Sequence, residues 1–181
     1  MNLYKDISSY ADKEKGHLNV VIDIPRGQSN KYEYDEKEGY FKLDRVLYSQ
    51  MFYPFDYGFV PQSHYEDGDA VDVCVLTTYP TFSGCVIKVR VIGAMDTSDE
   101  SGHDLKVIAV PTEKIDPRFA EIQTIEDLPA HIREELLLHF KEIKKLEKAK
   151  YDHVRINGFI DKDETYAEID RAIATFKEYN Q

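Results

Sequence analysis

Over its first hundred or so residues the chain is cut into short extended runs. They are Leu18 to Ile24, Tyr32 to Tyr34, Tyr40 to Tyr48, Tyr57 to Val60, Val71 to Thr77 and Val86 to Ile92, and Leu105 to Val110 adds another. Pro25-Arg26-Gly27, Glu38-Gly39, Pro54, Pro61, Pro80 and Ser83-Gly84 punctuate them at short, fairly regular intervals. β-branched and aromatic runs separated in this way predict an antiparallel barrel or sandwich. The pattern then changes. Asp127 and Pro129 signal the start of a helix reaching about Lys150, with Ile132, Leu136, Phe140 and Ile143 at helical spacing. A second helix begins near Asp163-Glu164 and carries Tyr166, Ile169, Ile173 and Phe176 on one stripe. Strands first and helices after predict an α+β domain with a small β-barrel at its centre and the long helix lying across it.

At 181 residues one substantial core is expected, so residues 1–181 are read as a single domain. The 23 basic and 34 acidic side chains leave a net charge of −11, which argues against a nucleic-acid partner and against an anionic membrane surface. An anionic substrate is repelled too, unless metal ions invert the local sign or the few basic residues gather in one place. Met1 to Asp6 lacks the apolar core of a secretory signal and no later run is long enough to span a membrane, so a soluble, cytoplasmic chain is expected. Cys74 and Cys85 form no CxxC or zinc spacing and are expected to be reduced, packed thiols. The six histidines, His103 and His139 among them, are scattered and read as surface or packing residues.

Three aspartates, Asp67, Asp69 and Asp72, crowd into six residues just before an apolar run. In a strand Asp67 and Asp69 share one face and Asp72 points away, so convergence requires a bend, to which Gly68 and Ala70 offer little resistance. Converging carboxylates repel one another unless cations neutralise them, and all-oxygen ligation suits magnesium, manganese or calcium. The competing reading is an acidic turn, since aspartate beside glycine is common there. An EF-hand loop fails: with Asp67 first, Asp72 falls where glycine is needed and Thr78 where a glutamate belongs. Asp99 and Asp104 flank Glu100-Ser101-Gly102-His103, a turn-like connection that Lys106 follows on the same side of the chain. That segment is either a second group of ligands with an anion-binding cation or an exposed acidic hairpin. Lys31-Tyr32-Glu33 and Asp44-Arg45 place charges beside strands, and Met51 to Gly58 holds Tyr53 and Tyr57 four apart around a proline.

Taken in order, Val21 to Pro25, Lys31 to Glu33, Asp44-Arg45, Met51 to Gly58, Asp67 to Val73, Thr78 to Pro80 and Asp99 to Lys106 resemble the soluble family I inorganic pyrophosphatases of the short bacterial type. The likeness runs from about Asn19 to Lys150, including His139-Phe140 and Leu146-Glu147-Lys148 on the long helix. It implies a five-stranded OB-type antiparallel β-barrel with flanking strands and two main helices, and magnesium-dependent hydrolysis of pyrophosphate, with manganese or other divalent cations as alternatives. It also implies a magnesium pyrophosphate substrate and a homo-oligomer, a hexamer in most bacterial forms. Carried over by position, Asp67, Asp72 and Asp104 hold the tighter metal, Asp72 bridges to a second, and Asp99 and Asp104 reach a third. Glu33 contacts a metal that arrives with substrate. Asp69 is the base towards the attacking water, grouped as catalytic with Tyr57 and Arg45. Lys31, Arg45, Tyr57, Lys106 and Lys144 bind phosphate oxygens, and Tyr53 belongs to the same pocket.

Two positions depart from that pattern. Asp23 stands where the family has glutamate, and Ile143 where a tyrosine before Lys144 offers its hydroxyl to phosphate. They motivate a second hypothesis, a diverged copy that binds pyrophosphate or metal without efficient turnover. A third is an OB-type module for single-stranded nucleic acid, which the tyrosines permit and the net charge opposes.

Overall fold

The computed structural model describes residues 1–99 and 102–179. Glu100 and Ser101, half of the turn between Asp99 and Asp104, therefore lie outside the described residues. The strands are β1 (Tyr10–Asp12), β2 (His17–Ile24), β3 (Asn30–Asp35), β4 (Tyr40–Val46), β5 (Asp56–Phe59), β6 (Asp72–Val75), β7 (Val86–Asp99), β8 (Gly102–Pro111) and β9 (Arg155–Ile160). The α-helices are α1 (Ala130–Glu142), α2 (Lys148–Tyr151) and α3 (Lys162–Tyr179).

The main sheet runs β1-β2-β5-β6-β8-β7-β9, and β2 also pairs with β7. That extra pairing closes β2, β5, β6, β8 and β7 into a five-stranded ring, with β1 and β9 flanking it and the β3–β4 hairpin separate. The expected OB-type barrel is therefore present. It differs in one seam: β6 and β8 are parallel, whereas the other four ring pairings are antiparallel. β7 and β8 are also longer than their apolar runs, because their paired ends extend through the polar stretch to Asp99 and from Gly102. The ring is tight enough that a Cβ at Gly58 would lie 2.0 Å from the Val21 carbonyl oxygen.

Alternation along the strands divides the core. Leu105, Val107 and Ala109 of β8, with Val73 and Val75 of β6, pack in the cluster that includes Ile169, Ala172 and Ile173 of α3. Ile108 and Val110 of β8, with Cys74 of β6, pack in a second cluster with Leu136 and Ile143. Asp72 and Lys106 share the parity of this second set. The apolar stripe of α3 is as expected, with Ile169, Ala172, Ile173 and Phe176 buried.

The first long helix is shorter than its pattern suggests. α1 ends at Glu142, and Glu147 (φ −91°, ψ 71°) leaves helical geometry before α2 begins. Nothing between is a helix breaker, so tertiary contacts override propensity. Ile143 is buried in the core, Lys144 is drawn to Asp99 and Glu147 to Arg45. β9 falls within the stretch between the two expected helices and pairs along the far end of β7.

Candidate active site

The aspartate run is positioned by a turn and a strand. Gly68 takes φ +95°, its N–H donates to the Tyr65 carbonyl (3.1 Å), and the Tyr65 N–H donates to the Asp69 carbonyl (2.7 Å). The Asp69 N–H donates to the Asp67 carboxylate (3.1 Å). This is the bend that convergence required, with glycine at the position that needs a positive φ. β6 then begins at Asp72, whose partner across the parallel seam is Lys106. Asp104 is two residues before Lys106 and so shares its face. The Lys106 ammonium therefore sits 2.5 Å from both Asp72 and Asp104. Asp99 ends β7 and binds the Lys144 ammonium at 2.6 Å.

The hairpin supplies another wall. Lys31 of β3 pairs with Arg45 of β4 in register, and Lys31 contacts Glu33 and, at 3.8 Å, Asp44. Arg45 reaches Asp44 at 2.5 Å and Glu147 at 3.4 Å. Tyr53 and Tyr57 line the floor, and Tyr57 and Phe140 lie beneath Lys106, whose ammonium is 5.8 and 6.0 Å from their ring centres.

All twelve side chains singled out from the sequence line one cavity of about 320 Å³: Glu33, Asp67, Asp69, Asp72, Asp99 and Asp104, and Lys31, Arg45, Tyr53, Tyr57, Lys106 and Lys144. The sequence reading left Glu147 and Lys150 without a role, yet both line it. Glu147 follows Lys144 by three residues, one helical turn, and that spacing was the available signal. Ile143 lines the cavity too, as its alignment with the family tyrosine implied. Asp23 faces an adjoining cavity of about 180 Å³ that shares Lys31, Glu33, Tyr57, Asp69 and Asp72. Its Oδ1 is buried without a hydrogen-bond partner, as a side chain one methylene too short would leave it.

Burial, then neighbouring charge, sets the protonation of the group. Burial raises the pKa of Asp67, and Asp72 and Asp69 add to it against the opposing Asp69 N–H. Asp69 is raised by burial, then by Asp72 and Glu33. Asp104 is raised by burial, and the nearby Lys106 only partly offsets this. Burial opposes the charge on Lys106, but Asp72 and Asp104 overcome it and hold the ammonium firmly protonated. Burial raises the Tyr53 and Tyr57 phenols, so both are hydrogen-bond donors at neutral pH.

The donor set fits hard divalent cations. Eight carboxylates face five basic side chains around the cavity, an excess of three negative charges, and every candidate ligand is a carboxylate oxygen. Among the described residues no three of His, Cys, Asp and Glu form a ready-made cage. Lys106 instead stands between Asp72 and Asp104, supplying one positive charge to two carboxylates.

A barrel of this kind, carrying interleaved carboxylates and cations over tyrosine hydroxyls, falls in the class of barrels whose side chains suit hard divalent cations and phosphate oxygens. Comparison with known proteins narrows the class. The family model described as inorganic pyrophosphatase matches residues 20–177. An inorganic pyrophosphatase of Saccharolobus solfataricus is 46% identical over 166 residues, covering 92% of this chain and 95% of that protein. One from Sulfolobus acidocaldarius is 48% identical over 142 residues, covering 78% and 81%. The crystal structure of inorganic pyrophosphatase from Thermus thermophilus superposes with a TM-score of 0.90 at 42% identity, covering 98% of this chain and 99% of that one. The chain belongs to the inorganic pyrophosphatase family.

Proposed function

We propose that the chain hydrolyses inorganic pyrophosphate to two phosphates, using magnesium, or manganese or another divalent cation, at the cavity on the parallel seam. The observation that carries this reading is the meeting in one cavity of twelve side chains drawn from segments far apart in sequence. In this reading Asp67, Asp72, Asp99 and Asp104 hold the cations and Glu33 takes one that enters with substrate. A bound divalent cation would neutralise phosphate oxygens and acidify the attacking water.

Asp69 carries a raised pKa, which makes it a stronger base than an ordinary carboxylate. It accepts the proton as a water oxygen forms a bond to one phosphorus and the bond from that phosphorus to the bridging oxygen breaks. Lys31, Arg45 and Lys144 bind phosphate oxygens, giving up contacts to Glu33, Asp44, Glu147 and Asp99 as they do so. Tyr53 and Tyr57 donate from protonated hydroxyls. Lys106, fixed between two carboxylates, presents a constant positive charge and is pinned in place by the rings beneath it.

Phosphate release from pyrophosphate, measured with and without magnesium, tests the reading. Asp69→Asn is expected to lower turnover about 10²- to 10⁴-fold, the usual contribution of a positioned base. Absence of metal-dependent release at neutral to alkaline pH would refute it. The same reading takes residues 1–181 as one cytoplasmic domain that forms a homo-oligomer, a hexamer by family likeness. The exposed Leu43, Val46, Tyr48 and Phe52 support self-association, and sedimentation velocity measures it. Among the described residues no helix is long and apolar enough to cross a membrane.

A further inference from the structure

A chain of polar contacts outside the cavity joins three separate segments. The Nε2 of His103 lies 2.7 Å from the Asp96 carboxylate. A carboxylate only accepts, so this nitrogen carries its hydrogen. The other ring nitrogen, Nδ1, then accepts, and the single hydrogen of the Tyr65 hydroxyl is shared between it at 3.0 Å and the carboxylate of Glu168 of α3 at 3.2 Å, which also binds Arg171 at 3.0 Å. The Tyr65 side chain is 6% exposed, so its hydroxyl has little water to turn to.

The two central members of this chain of contacts, Tyr65 and His103, are tied to the candidate ligands. Tyr65 closes the Asp67–Asp69 turn through its own backbone, accepting from the Gly68 N–H and donating to the Asp69 carbonyl. His103 precedes Asp104 on β8, and Asp96 lies on β7 three residues before Asp99. Asp67 and Asp69 of the turn and Asp72 after it face Asp99 and Asp104 across the cavity as like charges, and the one ammonium of Lys106 between Asp72 and Asp104 offsets that repulsion only in part. The hydrogen-bonded strut from Tyr65 to His103 resists what remains of it.

We propose that Tyr65 is a positioning residue, acting through His103, which sets the separation of the Asp67–Asp69 turn from the Asp104 strand and thereby the cavity's affinity for divalent cations. The proposal rests on the reading of the cavity as a cation site. Because the strut acts through backbone, its share falls below the roughly 10- to 100-fold typical of groups bonded directly to a metal ligand.

Calorimetric titration with magnesium, without pyrophosphate, tests it on Tyr65→Phe, His103→Leu, His103→Gln and the Tyr65→Phe/His103→Leu pair. Tyr65→Phe and His103→Leu are each expected to weaken binding about 3- to 10-fold. The pair should be no weaker than the weaker single variant, since both cut the same link. His103→Gln, whose amide can accept from Tyr65 and donate to Asp96, should bind nearly as wild type. Metal-free thermal midpoints should fall by no more than about 2–4 °C, the share of one lost hydrogen bond. Wild-type affinity in Tyr65→Phe, additive losses in the pair, or failure of His103→Gln to rescue would each overturn the proposal. A wild-type protein that binds no magnesium and releases no phosphate would instead overturn the reading of the cavity, and the proposal with it.

Discussion

His139 is the most telling residue to perturb. Its side chain is 2% exposed, its ring centre lies 5.1 Å from those of Tyr53 and Phe55 and 5.0 Å from that of Phe140, and neither ring nitrogen has a hydrogen-bond partner. Burial alone pushes its pKa down to about 4. The sign follows from proton counting: between an unfolded pKa near 6.5 and the folded value, the unfolded chain holds the extra proton. Stability from this group is therefore complete above about pH 6.5 and is lost as pH falls towards 4. The full shift is worth about 3 kcal/mol, of which about 2.5 kcal/mol is lost by pH 4.5. His139→Leu removes the titration and both unpaired nitrogens at similar volume. Its advantage over wild type should be about 1–3 kcal/mol at pH 8 and should widen by about 2.5 kcal/mol at pH 4.5. Urea unfolding of both proteins at pH 8, 6.5, 5.5 and 4.5, at one protein concentration, gives that difference, and the carboxylates common to both cancel. A difference that stays constant across the series would show that the imidazole is solvated or charged in the folded protein, and the argument from burial would fail.

Lys106→Met should cost about 2–4 kcal/mol in metal-free buffer, somewhat less than a fully buried broken pair, because two partly buried carboxylates lose their shared ammonium; magnesium should recover part of the loss, and a thermal midpoint indifferent to magnesium would contradict this. Ile143→Tyr should lower the Michaelis constant for pyrophosphate about tenfold if its hydroxyl reaches a phosphate oxygen, and an unchanged or raised constant in steady-state kinetics would show that this side chain does not meet substrate. Glu36 is held at a pKa of about 7 by burial first and Asp69 second. Its contribution is therefore full below about pH 4.5 and lost as pH rises through 7, so Glu36→Gln should be the more stable protein at pH 8 by about 1–2 kcal/mol, discounted for its partial exposure. Equal stability at pH 8 in chemical denaturation would count against it.

Much of the barrel was legible because its strands announce themselves locally: alternation and turn residues need no knowledge of the partner strand. The site was legible for a related reason, since Asp104 and Lys106 share a face by spacing alone, as do Lys31 and Glu33. What stayed hidden depends on contacts far away in sequence. The parallel pairing of Asp72 with Lys106 has no local signature. The break after Glu142 sits in strongly helical sequence and exists because Asp99 and Arg45 pull on Lys144 and Glu147. Arg155–Ile160 is a short stretch between two helical patterns and contains Gly158, so its strand character comes from pairing with β7. His103 looked like packing until Tyr65, 38 positions earlier, proved to be its neighbour.

The parallel seam also has a bearing on how the molecule opens. Asp72 and Lys106 are 34 positions apart and meet only when β8 docks beside β6. A chain in which that docking has not occurred holds its carboxylates in water, with no shared cavity and no reason to retain a cation. A cation bound across that seam would hold β6 and β8 together only after they had docked, so its main effect on lifetime would fall on the rate of coming apart.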